Sequence, residues 1–232
     1  MSDKSAALRF AVARYRTLMA ADPARWQPRL LRAVEAMADD HGDGDGLALA
    51  VLEDGVAHLR RLAAGPRSCH ASALASALIA LSVARFDRGD IVGAAAAAGE
   101  AAATGRSLTA DGVDGAPFKL VAALKQESRA RAVIADLRGA LTTLSEAARV
   151  HRHLAGPPGN QPETPPVPLK EGLAWTLGLL GMRLRLAGRD EEAINITEEA
   201  LSLLQPGEGA PADSLRDAVR AYLRAELVNL RR

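Results

Sequence analysis

A chain of 232 residues, 48% hydrophobic, 25% charged and 3% aromatic, is long enough to bury a large core and too apolar for wholesale disorder. Its formal charge of +1 supplies no global field for nucleic acid, and its one cysteine, Cys69, excludes an internal disulfide and fits a reducing compartment. The longest apolar run, Ala71–Ala84, is interrupted by serines and falls short of the roughly 20 residues a bilayer span needs. The start, Met1-Ser2-Asp3-Lys4, leads into a mixed segment without a signal-peptide core, so a cytoplasmic setting is expected. With so few aromatics the core has to be Leu, Ala and Val. The helix formers Ala, Leu, Arg and Glu dominate, and β-branched runs are missing, which predicts an all-α fold of about ten helices.

Leu8, Val12, Tyr15 and Met19 recur at helical spacing and predict a first helix over residues 5–21, stopped by Asp22-Pro23. A second is predicted over Gln27–Asp40, with Pro28 in its first turn, where a missing N–H costs nothing. Asp39 to Gly46 reads as a loop, Leu47–Ala64 as a third helix ended by Gly65-Pro66, and Ser68–Arg88 as a fourth. That fourth helix is apolar on most sides and is therefore expected to be buried. Gly89-Asp90 turns the chain into an Ala-rich helix over Ile91–Thr104, with a loop at Thr109–Gly115. Helices follow near Pro117–Ala135 and Leu137–Leu154. Residues 156–168 hold six of the twelve prolines and read as an extended linker. Helices resume at Leu169–Ala187 and Asp190–Leu204, and a last one starts near Asp213, a good N-cap, and runs to the end. Its apolar stripe is Leu215, Val219, Tyr222, Leu223, Leu227 and Leu230.

Few constellations carry chemistry. Asp39-Asp40-His41-Gly42-Asp43 spells the D-D-x-x-D pattern with which isoprenoid synthases hold Mg²⁺ and diphosphate. The flanking glycines and the lack of a second metal motif favour a solvated acidic loop. His151 and His153 stand two apart on a helix and point to different faces, as do the adjacent Cys69 and His70, so neither pair has zinc spacing. No nucleophile elbow, Walker loop or dinucleotide fingerprint is present, and no cofactor or metal is expected. Asn195-Ile196-Thr197 matches a glycosylation acceptor but falls inside a predicted helix. Lys119–Arg152 carries seven Lys or Arg against three acids, which solvated helix faces explain without a nucleic-acid partner.

The strongest pattern is a repeated helical hairpin. In Ala174–Gly207, Leu177, Leu180, Gly181 and Leu184 share a face, Gly188 opens the turn, and Ala193 and Ala200 mark the second helix. Small residues at such sites let two helices approach while leucines fill the gaps. Ala75–Leu108 keeps the register with Leu78, Leu81, Ser82, Gly89, Ala94 and Ala101, and the Glu-Ala pair recurs as Glu100-Ala101 and Glu199-Ala200. Pro117–Leu154 keeps Leu124, Ala140, Leu144 and Glu146-Ala147 but lacks the turn glycine. Leu30–Leu62 keeps Leu31, Val34, Ala48 and Leu52 if its loop holds one extra residue.

These residues resemble the tetratricopeptide repeat, in a divergent form similar to repeats of high-GC bacterial proteins. The resemblance implies antiparallel hairpins stacked as an α-solenoid, in one domain over residues 1–232 with the proline-rich linker at 156–168. Positions that are aromatic in the family are filled by Leu184 and Thr197, so looser packing is expected there. In the family the first helix of each hairpin lines a concave groove. Carried over by position, that face holds Trp175, Gly178, Met182 and Arg185 in the clear copy, and Ser76, Ile79, Val83 and Phe86 in the fainter one. Trp, Met and Arg are enriched where proteins meet. The resulting expectation is a non-enzymatic scaffold or adaptor binding a protein or peptide, with neither membrane nor nucleic acid as partner. Self-association through the ends of the stack is compatible with it. Two alternatives are a regulatory sensor binding a peptide or small effector, and an isoprenoid-type enzyme using Asp39, Asp40 and Asp43.

Overall fold

The computed structural model describes residue 14 and residues 46–63, 70–154, 169–204 and 214–230. The two N-terminal helices predicted upstream (Arg14 apart, which is helical), the acidic stretch with Asp39, Asp40 and Asp43, Cys69 and the proline-rich segment lie outside the described residues. Within them are eight helices and no strand: α1 (Gly46–Ala63), α2 (Ala71–Asp87), α3 (Ile91–Ala110), α4 (Ala116–Val133), α5 (Leu137–Leu154), α6 (Leu169–Leu186), α7 (Asp190–Leu203) and α8 (Ser214–Leu230). The chain divides into two compact units, Met1–Ala130 and Arg131–Arg232, with the boundary in the last turn of α4.

Both repeats read from the sequence are helical hairpins, α2–α3 and α6–α7. Their turns share one hydrogen-bond pattern. Asp90 N–H donates to Arg85 O at 2.9 Å and Gly89 N–H to Phe86 O at 3.0 Å; Arg189 N–H donates to Leu184 O and Gly188 N–H to Arg185 O, both at 2.9 Å. This is a Schellman closure, which places one residue in the left-handed region, here Gly89 at φ 82° and Gly188 at φ 70°. The exit of α3 repeats it with Gly112 at φ 70°. So does the exit of α4, where Asp136 N–H reaches Arg131 O at 2.9 Å. The missing turn glycine of the third copy is replaced there by Ala135, which takes φ 62°. The turn survives because Asp136 ties it from both sides. Its carboxylate accepts from Gly139 N–H at 2.9 Å, capping α5, and pairs with Arg131 at 2.8 Å.

In the first unit, α2 packs between α1 and α3. The side of α3 facing inward is almost pure alanine (Ala94, Ala97, Ala98, Ala101, Ala102), which brings its backbone close to the leucines Leu74, Leu78 and Leu81 of α2. Ser82, buried on α2, donates to Ala94 O at 2.9 Å. Helix α3 continues to Ala110, six residues past the predicted end at Thr104. Gly105 is inside the helix, not at its stop, because α4 crosses there: a Cβ on Gly105 would sit 3.1 Å from Leu120 Cα.

In the second unit, α6 packs against α5, α7 and α8. Leu173, Ala174, Leu177, Leu180 and Leu184 form its buried side. Contrary to the looser packing expected at Thr197, that residue is 2% exposed and its hydroxyl donates to Ala193 O at 2.7 Å. The hydroxyl fills the space that a Cβ on Gly181 would enter at 2.7 Å, so Gly181 and Thr197 form a matched pair, and Leu184 is likewise buried. The recurring Glu-Ala pair has a physical basis too. Ala101 and Ala200 are sealed in the core, while the preceding glutamates each clasp an arginine of another helix in the same unit. Arg60 Nε donates to Glu100 at 2.7 Å, its second nitrogen completing the fork, and Arg152 holds Glu199 through two bonds of 2.8 Å.

Candidate partner-binding surface

The six residues carried over by position fall into two sets, one in each unit. In the first, Ile79, Val83 and Phe86 are half-buried along α2. Helix α4 runs beside α2 in the same direction and sets cations along the strip. Lys119 Nζ donates to Ser72 Oγ at 2.7 Å and to Ser72 O at 3.1 Å. At the other end the Arg129 guanidinium lies 3.8 Å above the Phe86 ring and 3.9 Å from the Asp87 carboxylate. Ser76, the fourth residue of the copy, spends its hydroxyl on Ser72 O at 3.3 Å. Lys125 is half-buried on α4, and burial pushes its ammonium below the usual lysine range.

In the second unit, Trp175, Met182 and Arg185 are brought together on one face of α6, and that face meets α8. The Trp175 and Tyr222 rings lie 6.0 Å apart at 46°. Tyr222 O–H points to Met182 Sδ at 3.6 Å, and Arg185 pairs with Glu226 at 3.5 Å. Gly178 provides the room, since a Cβ there would stand 2.6 Å from Leu223 Cδ2. Burial first, and Glu226 second, push the Tyr222 hydroxyl above its usual range. Trp175 stays 39% exposed.

Position in the repeat picks out Trp175, Met182 and Arg185 but not their counterparts Tyr222 and Glu226. The signal is present in the last helix, where Tyr222 belongs to the apolar stripe and Glu226 stands four residues on. Arg129 reads in the sequence only as one charge in a basic stretch.

The two histidines diverge. His151 is buried, with Nδ1 at 3.1 Å from Thr176 Oγ1, and His153 is exposed. The Thr176 hydroxyl also bonds Gly172 O at 2.9 Å, so it links the imidazole to the backbone of α6. Among the described residues, no three His, Cys, Asp or Glu side chains gather as metal ligands, and no helix is long and apolar enough to cross a membrane.

No protein-family model matches the chain, and no curated protein matches it. Solved structures do. The crystal structure of BtubC (BKLC) from P. vanneervenii superposes with a TM-score of 0.71 over 98% of this chain and 81% of that one, at 17% identity. Two crystal structures of a Podosopora anserina putative kinesin light chain with nearly identical TPR-like repeats, one of them a single-residue variant, give 0.54 and 0.55. Both cover 99% of this chain and 93% of theirs at 16% identity. Shared turns, alanine-lined second helices and these likenesses make the fold a tetratricopeptide-like α-solenoid of antiparallel helical hairpins.

Proposed function

We propose that this chain is a non-enzymatic scaffold or adaptor, a single array of repeats that binds a protein or peptide segment on the first helices of its hairpins. The observation that carries the reading is the state of those helices' outer rows. Ile79, Val83, Phe86, Trp175 and Met182 are large apolar groups left partly open beside Arg129 and Arg185, where a solvated face would carry small or charged residues. Such a mixture of apolar area and fixed cations suits a segment laid along the helices, with side chains taken up in turn. Tetratricopeptide-like folds carry function by the surface they present rather than by buried reactive groups.

A photo-reactive amino acid placed at Val83 or Met182, with a control at Val92 of α3, which is 69% exposed, tests the proposal in cells. Discrete polypeptide adducts at Val83 or Met182 and none at Val92 are expected. Equal labelling at all three positions would remove the surface from consideration.

A further inference from the structure

Packing of α8 leaves part of α6 uncovered. Trp175, Leu179 and Leu186 follow one another at spacings of four and seven, which is a single stripe along the helix, and Leu186 is 53% exposed. Arg183 lies in the same stripe and is half-buried. Three arginines of this unit are matched to carboxylates of the same unit: Arg185 to Glu226, Arg152 to Glu199 and Arg131 to Asp136. The Arg183 guanidinium has no hydrogen bond or ion pair among the described residues. Burial pushes the guanidinium below the usual arginine range, against the favourable field of the Tyr222 hydroxyl. A desolvated cation next to an open apolar stripe is a group lacking its counterion.

Resting on the scaffold reading above, we infer that the α6 stripe seats a short acidic segment of a partner protein, with a carboxylate on Arg183 and a large apolar side chain against Trp175 and Leu179. A planar guanidinium matches a carboxylate with two parallel hydrogen bonds, and the apolar stem and neighbours keep water from screening the pair. The rise of the helix sets Arg183 about 12 Å along α6 from Trp175. Extended chain covers that distance in about four residues, so the acidic and apolar residues of the ligand stand three to five apart. A polyanion such as nucleic acid fits less well, since its affinity comes from many cations contacting phosphates and this stripe offers one.

Selection of random dodecapeptides displayed on phage against the full chain, in parallel with Arg183→Gln and Val83→Glu, tests this. The wild-type pool is expected to be enriched in Asp or Glu three to five residues from a large apolar residue. Recovered peptides are expected to bind Arg183→Gln at least about tenfold more weakly, with unchanged circular dichroism, and to weaken as salt rises. Arg183→Lys should recover part of the affinity. A wild-type pool without acidic enrichment, unchanged binding to Arg183→Gln, or preferential binding of a single-stranded oligonucleotide overturns the inference. Peptides that lose affinity on Val83→Glu and not on Arg183→Gln overturn it while leaving the scaffold reading intact; a chain that enriches no peptide removes both.

Discussion

Replacing Ala135 by glycine should stabilise this protein, although the residue is exposed and buries no apolar surface. Ala135 occupies the left-handed position of a helix-ending turn at φ 62°, where Gly89, Gly112 and Gly188 stand in the same closure. An L-residue there suffers contact between Cβ and the neighbouring carbonyl, at about 1–2 kcal/mol. Glycine removes that contact but gives back about 0.5–1 kcal/mol through the greater freedom of its unfolded chain. The difference predicts a gain of about 0.5–1 kcal/mol, or about 1–4 °C in melting temperature for a protein of this size. Urea unfolding followed by circular dichroism reads it as a higher midpoint at unchanged slope. Gly188→Ala is the mirror experiment and should lose about 0.5–1 kcal/mol. The reasoning fails if Ala135→Gly lowers the midpoint, or if Gly188→Ala leaves it in place. The first result would mean that the bonds of Asp136 to Gly139 and Arg131 set the turn conformation without strain, and the second that alanine meets no strain in this kind of closure.

The two glycines of α6 should respond differently to alanine. Gly181→Ala drives a methyl into a buried hydroxyl already bonded to Ala193, and is expected to cost about 1–3 kcal/mol in urea unfolding, whereas Gly178→Ala meets only the flexible end of Leu223 and should stay within about 1 kcal/mol of wild type. A double-mutant cycle on Arg152 and Glu199, whose side chains are about 40% exposed, should give a coupling of about 0.3–1 kcal/mol that shrinks in 1 M salt. The Asp136 carboxyl is held below its usual range by the Gly139 N–H first and by Arg131 second. Its stabilising contribution is therefore complete above the unfolded value near pH ~3.9 and fades as pH falls toward the lower folded value, so the stability gap between wild type and Asp136→Ala should be open at pH 7 and closed in strong acid.

The hairpins are readable because their signal is local. Alanines and leucines at three- and four-residue intervals, with a glycine at the turn, state both the helix and the face it buries. Reading fails where one residue type serves two ends. Gly105 looks like a helix stop, and it is a close approach to Leu120. Conversely the turn after α4 carries no glycine, since an aspartate that caps the next helix and pairs with Arg131 holds the same closure. Thr197 looks like a loose substitute for an aromatic, and only the absent side chain of Gly181, sixteen residues earlier, shows why a small hydroxyl fits. Each of these depends on a partner distant in sequence, which periodicity does not report.

Recognition by position has the same limit at the surface. A repeat numbering assigns Trp175, Gly178, Met182 and Arg185 to a face that receives ligand, because it treats every first helix as having an open side. Here the residues that reach that side come from α8, itself packed on both α6 and α7. Tyr222, Leu223 and Glu226 give the sulfur, the glycine and the arginine their partners. A helix that takes this role moves the open surface around α6 rather than removing it. Trp175 spans the border, one edge against Tyr222 and the other in solvent, and the row continues through Leu179 to Leu186. The last helix thus decides which side chains of α6 are left for a partner. Among the described residues, the cation on that row without a carboxylate of its own is Arg183, not the Arg185 that repeat position selects.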